Sequence, residues 1–282
     1  MQPAARMPPA APPPFPVLAP SAFSVGGVIG KTFSTWAKNL LPFTVLSLLV
    51  QLPMYATSLW NQYAIYGGYP SFQQMAERAR EQAAAGAGPF AQFTPLVVTG
   101  WLVMWVLMLV QMGALTYGAI QHLAGRKVSV GPLIGAGFRR VWTVFVTGLV
   151  SGLVVMLGMT LFIVPGIILA CGLAVAIPVV MAEGKGAFAA IGRSFALTKG
   201  KRFAIFLAFF VMLLVVWTTS ALSGLLPLAL GGGTASLVGG VVALLVAALF
   251  APLGTLLPAV VYHDLRVAKE GVATADLVKV FE

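Results

Sequence analysis

The chain has 282 residues, of which 59% are hydrophobic and only 9% are charged. Soluble domains carry about 25% charged residues, so this chain has too few charged side chains to cover a water-soluble globule of its length. Its formal net charge of +10 would suit nucleic acid, but Lys and Arg also accumulate in the cytoplasmic loops of membrane proteins. The composition excludes an ordinary soluble protein. It predicts an all-α polytopic integral membrane protein with no nucleic acid partner.

Residues 1–21 are rich in Pro and Ala and carry one charge, on Arg6. Three consecutive prolines at 12–14 exclude a helix there, and the apolar core of a cleavable signal peptide is not evident. We predict a disordered cytoplasmic tail, whose polyproline character leaves open a protein partner. The rest of the chain divides into a membrane domain over residues 22–271 and a second cytoplasmic tail over residues 272–282.

A polar segment separates the first two predicted membrane spans. Residues 40–60 contain no charge and predict the first span, and residues 95–121 predict the second. Between them, the sequence SFQQMAERAREQAAA has a composition that favours a short surface helix, which is expected to end at Gly86 and Gly88.

Two longer uncharged runs each predict a helical hairpin. Residues 141–182 form a run of 42 residues and residues 203–262 one of 60, and both exceed the ~20 residues that cross a ~30 Å hydrocarbon core. The first turn is predicted at residues 164–166, because their Val-Pro-Gly sequence contains a strong turn signal. The second is predicted within residues 227–233. The sequence therefore predicts six spans.

An even number of spans places both termini on one side of the membrane. If that side is the cytoplasm, the cytoplasmic segments are 1–39, 122–140, 183–202 and 263–282, and they hold 15 of the 17 Lys and Arg residues. The other two lie after the first span, beside two Glu residues. The positive-inside rule favours this orientation.

Three stretches that precede an outward-going span share the pattern I-G-x-x-F: Ile29–Phe33, Ile134–Phe138 and Ile191–Phe195. Ile and Phe four positions apart share a helix face, so each stretch predicts a short amphipathic helix in the cytoplasmic interface. The chain then consists of three copies of one unit, each an interfacial helix, a span outward and a span back. Convergence of amphipathic stretches on similar residues is the alternative.

No motif predicts catalysis, a cofactor or a metal site. The segment Gly26–Thr32 resembles a phosphate-binding P-loop, but its first glycine is one position out of register. His122 and His263 lie at predicted span ends, and no cluster of Cys, His or carboxylate side chains completes a metal site beside them. The single cysteine, Cys171, excludes a disulfide framework. We predict no enzyme activity.

Residues inside the predicted spans bear on transport and on packing. No predicted span contains an ionisable residue, which disfavours ion-coupled transport. Gly148 and Gly152 form a G-x-x-x-G pattern that predicts close helix approach. Among the prolines of the spans, Pro53, Pro178, Pro252 and Pro258 are positioned to interrupt a helix. A helix broken at such a proline would expose backbone carbonyls to a transport path; an ordinary kink is the alternative.

The basic residues near the spans are candidate contacts for anionic lipid headgroups, because each juxtamembrane Lys or Arg contributes about 1 kcal/mol of attraction. The candidates are Lys31, Lys38, Arg139, Arg140, Arg193, Lys199, Lys201, Arg202 and Arg266. Positive charge is also expected from topology alone, so orientation of the chain is the alternative role.

The chain resembles the membrane domain of bacterial glycerophosphoryl diester phosphodiesterases and a wider group of six-helix bacterial membrane proteins. The likeness lies in Val164-Pro165-Gly166-Ile167, in Pro178 with Glu183, in Ala190-Ile191-Gly192-Arg193-Ser194 through Leu197 and Gly200, and in Tyr262-His263-Asp264-Leu265-Arg266 with Lys269-Glu270-Gly271. It runs from about Phe23 to Gly271. The resemblance implies residence in a bacterial inner membrane. It implies no activity, because the phosphodiesterase members join this region to a separate soluble catalytic barrel, and the soluble segments here are far shorter than the ~250 residues that such a barrel needs.

Three functions remain from the sequence. The leading hypothesis is a non-enzymatic accessory, scaffold or lipid-contacting protein whose basic face meets anionic headgroups. The alternative is a transporter or channel with a backbone-lined path. A membrane-embedded enzyme comes third, because no convergent nucleophile, base or metal cluster is evident.

Overall fold

The computed structural model describes residues 23–68, 70–86, 95–230 and 233–271. The two predicted tails, 1–21 and 272–282, lie outside the described residues. The described residues form helices and no strand: α1 (Val25–Lys38), α2 (Leu40–Tyr66), α3 (Phe72–Ala84), α4 (Pro95–Leu123), α5 (Val130–Leu161), α6 (Ile163–Leu173), α7 (Ala176–Glu183), α8 (Ala187–Thr198), α9 (Arg202–Ala229), α10 (Gly233–Phe250) and α11 (Pro252–Glu270).

Six spans are long and apolar enough to cross a membrane: α2, α4, α5, α6 with α7, α9, and α10 with α11. They leave large apolar side chains uncovered, for example Trp101 (66% exposed), Leu157 (61%) and Leu213 (60%), which is the surface expected of helices solvated by lipid. The prediction of an all-α polytopic membrane protein is confirmed. Helix α11 forms the centre of the bundle, with twelve of its 19 residues buried.

The short helices partly match prediction. The polar segment after the first span forms α3, whose N-cap Ser71 and residue Gln74 make a capping box. Two predicted interfacial helices are separate, as α1 and α8. The third is wrong as a separate helix: residues 134–138 belong to the 32-residue α5. Helix α1 stops at Asn39 and α8 stops before Gly200 (φ +82°), whereas no Gly or Pro follows Phe138 until Gly148 to interrupt α5.

Two returning spans are broken near their prolines. The turn predicted at 164–166 lies earlier, at Phe162, because Pro165 sits in the first turn of α6, where proline is tolerated. Helix α7 begins two residues before Pro178, and α11 begins at Pro252. At Pro53 and Pro258 the helix continues through the proline.

The three I-G-x-x-F stretches share one burial pattern. The residue before each Ile is buried, at Val28, Leu133 and Ala190, and so is the residue before each Phe, at Thr32, Gly137 and Ser194. These positions are four apart and form one stripe on each helix, while the glycine of every copy is exposed. Common burial at matching positions supports a true repeat, even though the middle copy is continuous with its span.

Glycines allow close helix contacts at other places than predicted. A Cβ added at Gly148 or Gly152 would meet nothing within 4 Å, so the predicted close approach there is wrong within this chain. A Cβ at Gly137 would overlap the backbone oxygen of Val110 on α4, and one at Gly158 would lie 3.0 Å from the Cα of Gly166. The tight crossings are therefore α4 with α5 and α5 with α6.

Candidate functional site

A network of ion pairs ties α7, α8 and α11 together at the end of the bundle where α4, α7 and α11 finish, hereafter the basic end. Its centre is Glu183, whose side chain is only 10% exposed. Oε1 of Glu183 accepts hydrogen bonds from the hydroxyl of Tyr262 (3.0 Å) and from Nε of Arg193 (3.2 Å), and Oε2 lies 2.7 Å from Nζ of Lys185. One carboxylate from α7 thus holds groups from two other segments.

A second carboxylate, Glu270 at the end of α11, completes the network. Arg193 donates to Oε1 of Glu270 through Nη2, and Arg266 donates to Oε2 through Nε at 2.9 Å. Partial burial acts to lower the pKa of Arg193, but its hydrogen bonds to Glu270 and Glu183 outweigh this and raise the pKa above the usual value. Arg193 therefore bridges two carboxylates as a permanent cation.

The same end of α11 also holds α1 and the turn after α8. Nζ of Lys31 on α1 lies 2.7 Å from Oδ1 of Asp264, whose side chain is 8% exposed, and Nδ1 of His263 is 3.1 Å from the same oxygen. Lys269 donates to the carbonyls of Ala196 and Lys199 at the end of α8. In both separate copies of the repeat, the third position of I-G-x-x-F, Lys31 or Arg193, is the cation that reaches α11.

The nine candidate headgroup contacts divide into three groups. Lys31, Arg193 and Arg266 are engaged with carboxylates, and Arg266 does not reach the surface, since its side chain is 7% exposed. The guanidinium of Arg202 lies over the ring of Phe195, 5.5 Å from its centre. The remaining candidates are exposed or half-buried at the basic end: Lys38, Arg139, Arg140, Lys199 and Lys201.

One backbone carbonyl beside each break in the returning spans accepts a hydrogen bond from a side chain. At the break between α6 and α7, the carbonyl of Gly172 accepts from the hydroxyls of Ser194 (2.7 Å) and Thr198 (3.2 Å) on α8. At the break between α10 and α11, the carbonyl of Leu249 accepts from Nε1 of Trp36 on α1 (2.8 Å). A short helix therefore stabilises each break.

A cavity of about 900 Å³ lies among α2, α4, α9 and α10, away from the basic end. Its wall includes the methionines Met54, Met108 and Met112, and none of its lining residues is Asp, Glu, Lys, Arg or His. The hydroxyl and amide groups in the wall come from Gln51, Tyr55, Ser58, Gln62, Gln111, Ser220, Ser223 and Thr255. Along α11, the buried residues Leu256 and Val260 stand between Thr255 of the cavity wall and Tyr262 of the ion-pair network.

The sequence alone did not predict the cavity or the network. Glu183 pairs with Lys185 only two positions on, which is a local contact, but its other partners stand 10 and 79 positions away. A usable signal was present, because polar residues inside membrane spans usually face the protein interior or a cavity. Three of the four glutamines in the described spans line the cavity among α2, α4, α9 and α10: Gln51, Gln62 and Gln111.

Three of the four stretches behind the family resemblance meet in the ion-pair network, through Glu183, Arg193 and the segment from Tyr262 to Glu270. The family itself stays a prediction. Comparison with family models, with curated proteins and with solved structures found no match.

Proposed function

We propose that this protein is a non-enzymatic lipid-binding protein of the membrane, which holds the hydrocarbon part of a lipid in the cavity among α2, α4, α9 and α10. The cavity carries the proposal: its volume of about 900 Å³ is in the range of 300–1,000 Å³ typical of ligand sites. Methionine side chains adapt to irregular apolar shapes, so a wall containing Met54, Met108 and Met112 suits flexible acyl or prenyl chains.

Filling the cavity tests the proposal. We expect Ala243→Trp, in the cavity wall, to reduce the occupancy of a co-purifying lipid at least tenfold, because the indole takes the ligand's volume. The matched control is Val242→Trp at the adjacent position, because Val242 is 41% exposed and does not line the cavity. Native mass spectrometry of protein transferred from its own membrane into nanodiscs measures the occupancy. Equal occupancy in both variants and the parent protein would contradict the proposal.

The alternative function is a transporter or channel with a backbone-lined path. The carbonyls of Gly172 and Leu249 beside the broken helices accept hydrogen bonds from side chains, which disfavours their use as ion ligands. Solute flux in proteoliposomes, abolished by Ala243→Trp and kept by Val242→Trp, would favour transport over lipid binding. A membrane-embedded enzyme remains third.

We further propose a bacterial inner-membrane location with both termini in the cytoplasm. The distribution of Lys and Arg among the segments supports this orientation, and the exposed cations of the basic end would then face anionic headgroups. In a Cys171→Ser background, we expect Lys127→Cys to react with an impermeant maleimide only after the cells are opened, and Gln82→Cys to react in intact spheroplasts. The opposite labelling pattern would reverse the orientation.

A further inference from the structure

The polar groups of the cavity wall indicate which class of lipid it takes. In a hydrocarbon environment an unpaired amide is costly, yet the cavity is the place where the glutamines of the described spans concentrate. Intramembrane polar residues gathered on a cavity wall are by default a binding-site hypothesis. The following inference rests on the proposed lipid-binding function and defines its ligand.

Two glutamines lie together deep within the spans, on the side of the cavity that is nearer to the basic end of the bundle. Nε2 of Gln111 on α4 donates to Oγ of Ser47 on α2 at 3.0 Å. Gln51 stands one helical turn beyond Ser47 on the same face of α2, so the two amides lie within about one turn of each other. Gln51 and the carbonyl oxygen of Gln111 make no hydrogen bond with any other described residue, which leaves donors and an acceptor for a ligand.

A third amide lies toward the other end of the cavity. Gln62 is eleven residues after Gln51 on α2, about 16 Å along the helix. Its Nε2 donates to Oγ of Ser58 at 3.2 Å, while its Oε1 is buried and finds no partner within the described chain. The wall therefore offers hydrogen-bonding groups at both ends of a mainly apolar length.

The wall offers no charge. A phosphate or ammonium group held in a low-dielectric site needs a counter-charge, because its desolvation costs several kcal/mol. No lining residue is acidic or basic, and the cations of the basic end lie beyond the buried apolar side chains of α11. A charged headgroup is therefore disfavoured, whereas hydroxyl and carbonyl groups match amides that both donate and accept.

We propose that the cavity binds an uncharged lipid with a hydroxyl- or carbonyl-bearing polar end, of the diacylglycerol or quinone type, and that Gln51 and Gln111 hold that polar end. The mainly apolar wall between Gln51 and Gln62 takes the chain. Charged phospholipids then contact only the outside of the bundle.

Two lipids with the same acyl chains test the inference: dioleoylglycerol, which is uncharged, and dioleoyl phosphatidic acid, which carries a phosphate. Titration into nanodiscs of the full chain, followed by native mass spectrometry, is expected to show at least tenfold tighter binding of dioleoylglycerol. The double variant Gln51→Leu with Gln111→Leu is expected to lose about tenfold of that affinity, as for two hydrogen bonds. Gln73→Leu, exposed on α3, is the control and is expected to bind as the parent does.

The outcomes separate this inference from the proposed function. Equal or tighter binding of the phosphatidic acid, or unchanged binding in the double glutamine variant, overturns the neutral-lipid assignment while lipid binding stands. If neither lipid binds and Ala243→Trp behaves as the parent, the proposed function itself fails. Should the double variant not fold, the comparison of the two lipids on the parent protein decides.

Discussion

Glu183→Ala is expected to destabilise the protein by about 3 kcal/mol, near the lower end of the range for breaking a buried ion pair. The carboxylate is 10% exposed and anchors Arg193 and Tyr262, so its removal leaves a partly buried cation and a buried hydroxyl with fewer partners. Arg193 keeps Glu270 and is 24% exposed, which limits the loss.

Thermal unfolding in nanodiscs measures the effect of Glu183→Ala. At about 2–4 °C per kcal/mol, the midpoint is expected to fall by roughly 10 °C. The control is Glu77→Ala, an exposed glutamate on α3, which is expected to shift the stability by less than about 0.5 kcal/mol. Equal midpoints for the two variants would show that the network contributes nothing to stability.

A double-mutant cycle identifies the partner. If Glu183 acts through Arg193, the combination of Glu183→Leu with Arg193→Leu is expected to cost less than the sum of the single changes, by about 1–3 kcal/mol. Additive losses would indicate that Lys185 and Tyr262 carry the interaction instead. The cycle thus tests whether the bridge from α7 to α8 is the connection that matters.

The six spans were predictable because their signal is local. Uncharged runs and the distribution of Lys and Arg depend on neighbouring residues only, and α2, α4 and α3 begin close to their predicted positions. Helix ends were less predictable, since they depend on competition between adjacent signals. The Pro165-Gly166 pair is a turn signal, but proline is also tolerated in the first turn of a helix. Pro165 occupies that position in α6, and the chain reverses before it, at Phe162.

The site was less predictable for a physical reason. The bond of Tyr262 to Glu183 joins residues 79 positions apart, and the contact of Trp36 with Leu249 joins residues 213 positions apart. Such pairs follow from the packing of whole helices, which local patterns in the sequence do not reveal. The nine basic candidates share a position near the ends of the predicted spans. That property does not distinguish Arg266, which is buried between helices, from Lys201, which is exposed.

One stripe of each I-G-x-x-F stretch is buried. The residue before Phe is Thr, Gly or Ser in the three copies, and in α8 Ser194 bonds the broken span beside it. In the middle copy there is no hydroxyl, and Gly137 instead lets α5 approach the backbone of α4 at Val110. The residue at this position is buried in all three copies, and in the second and third copies it makes a close contact with another span.

Two glycine substitutions in α5 are expected to change stability in opposite directions. In Gly137→Ala the new Cβ overlaps the carbonyl oxygen of Val110 and lies 3.2 Å from Cβ of Ala114, and a backbone atom cannot move aside as a flexible side chain can. Overpacking of this kind costs about 1–3 kcal/mol, so the unfolding midpoint is expected to fall by about 5 °C.

Gly148→Ala in the same helix meets nothing within 4 Å and is expected to add about 0.5–1 kcal/mol of stability, because alanine loses less backbone entropy than glycine in a helix. Each variant replaces one glycine of α5 by alanine, so the gain in helix propensity is the same in both. The difference between their free energies of unfolding therefore reports the α4–α5 contact alone. A stabilised Gly137→Ala would place the two helices farther apart than this structure does. A destabilised Gly148→Ala would instead reveal a neighbour from outside the chain at that surface.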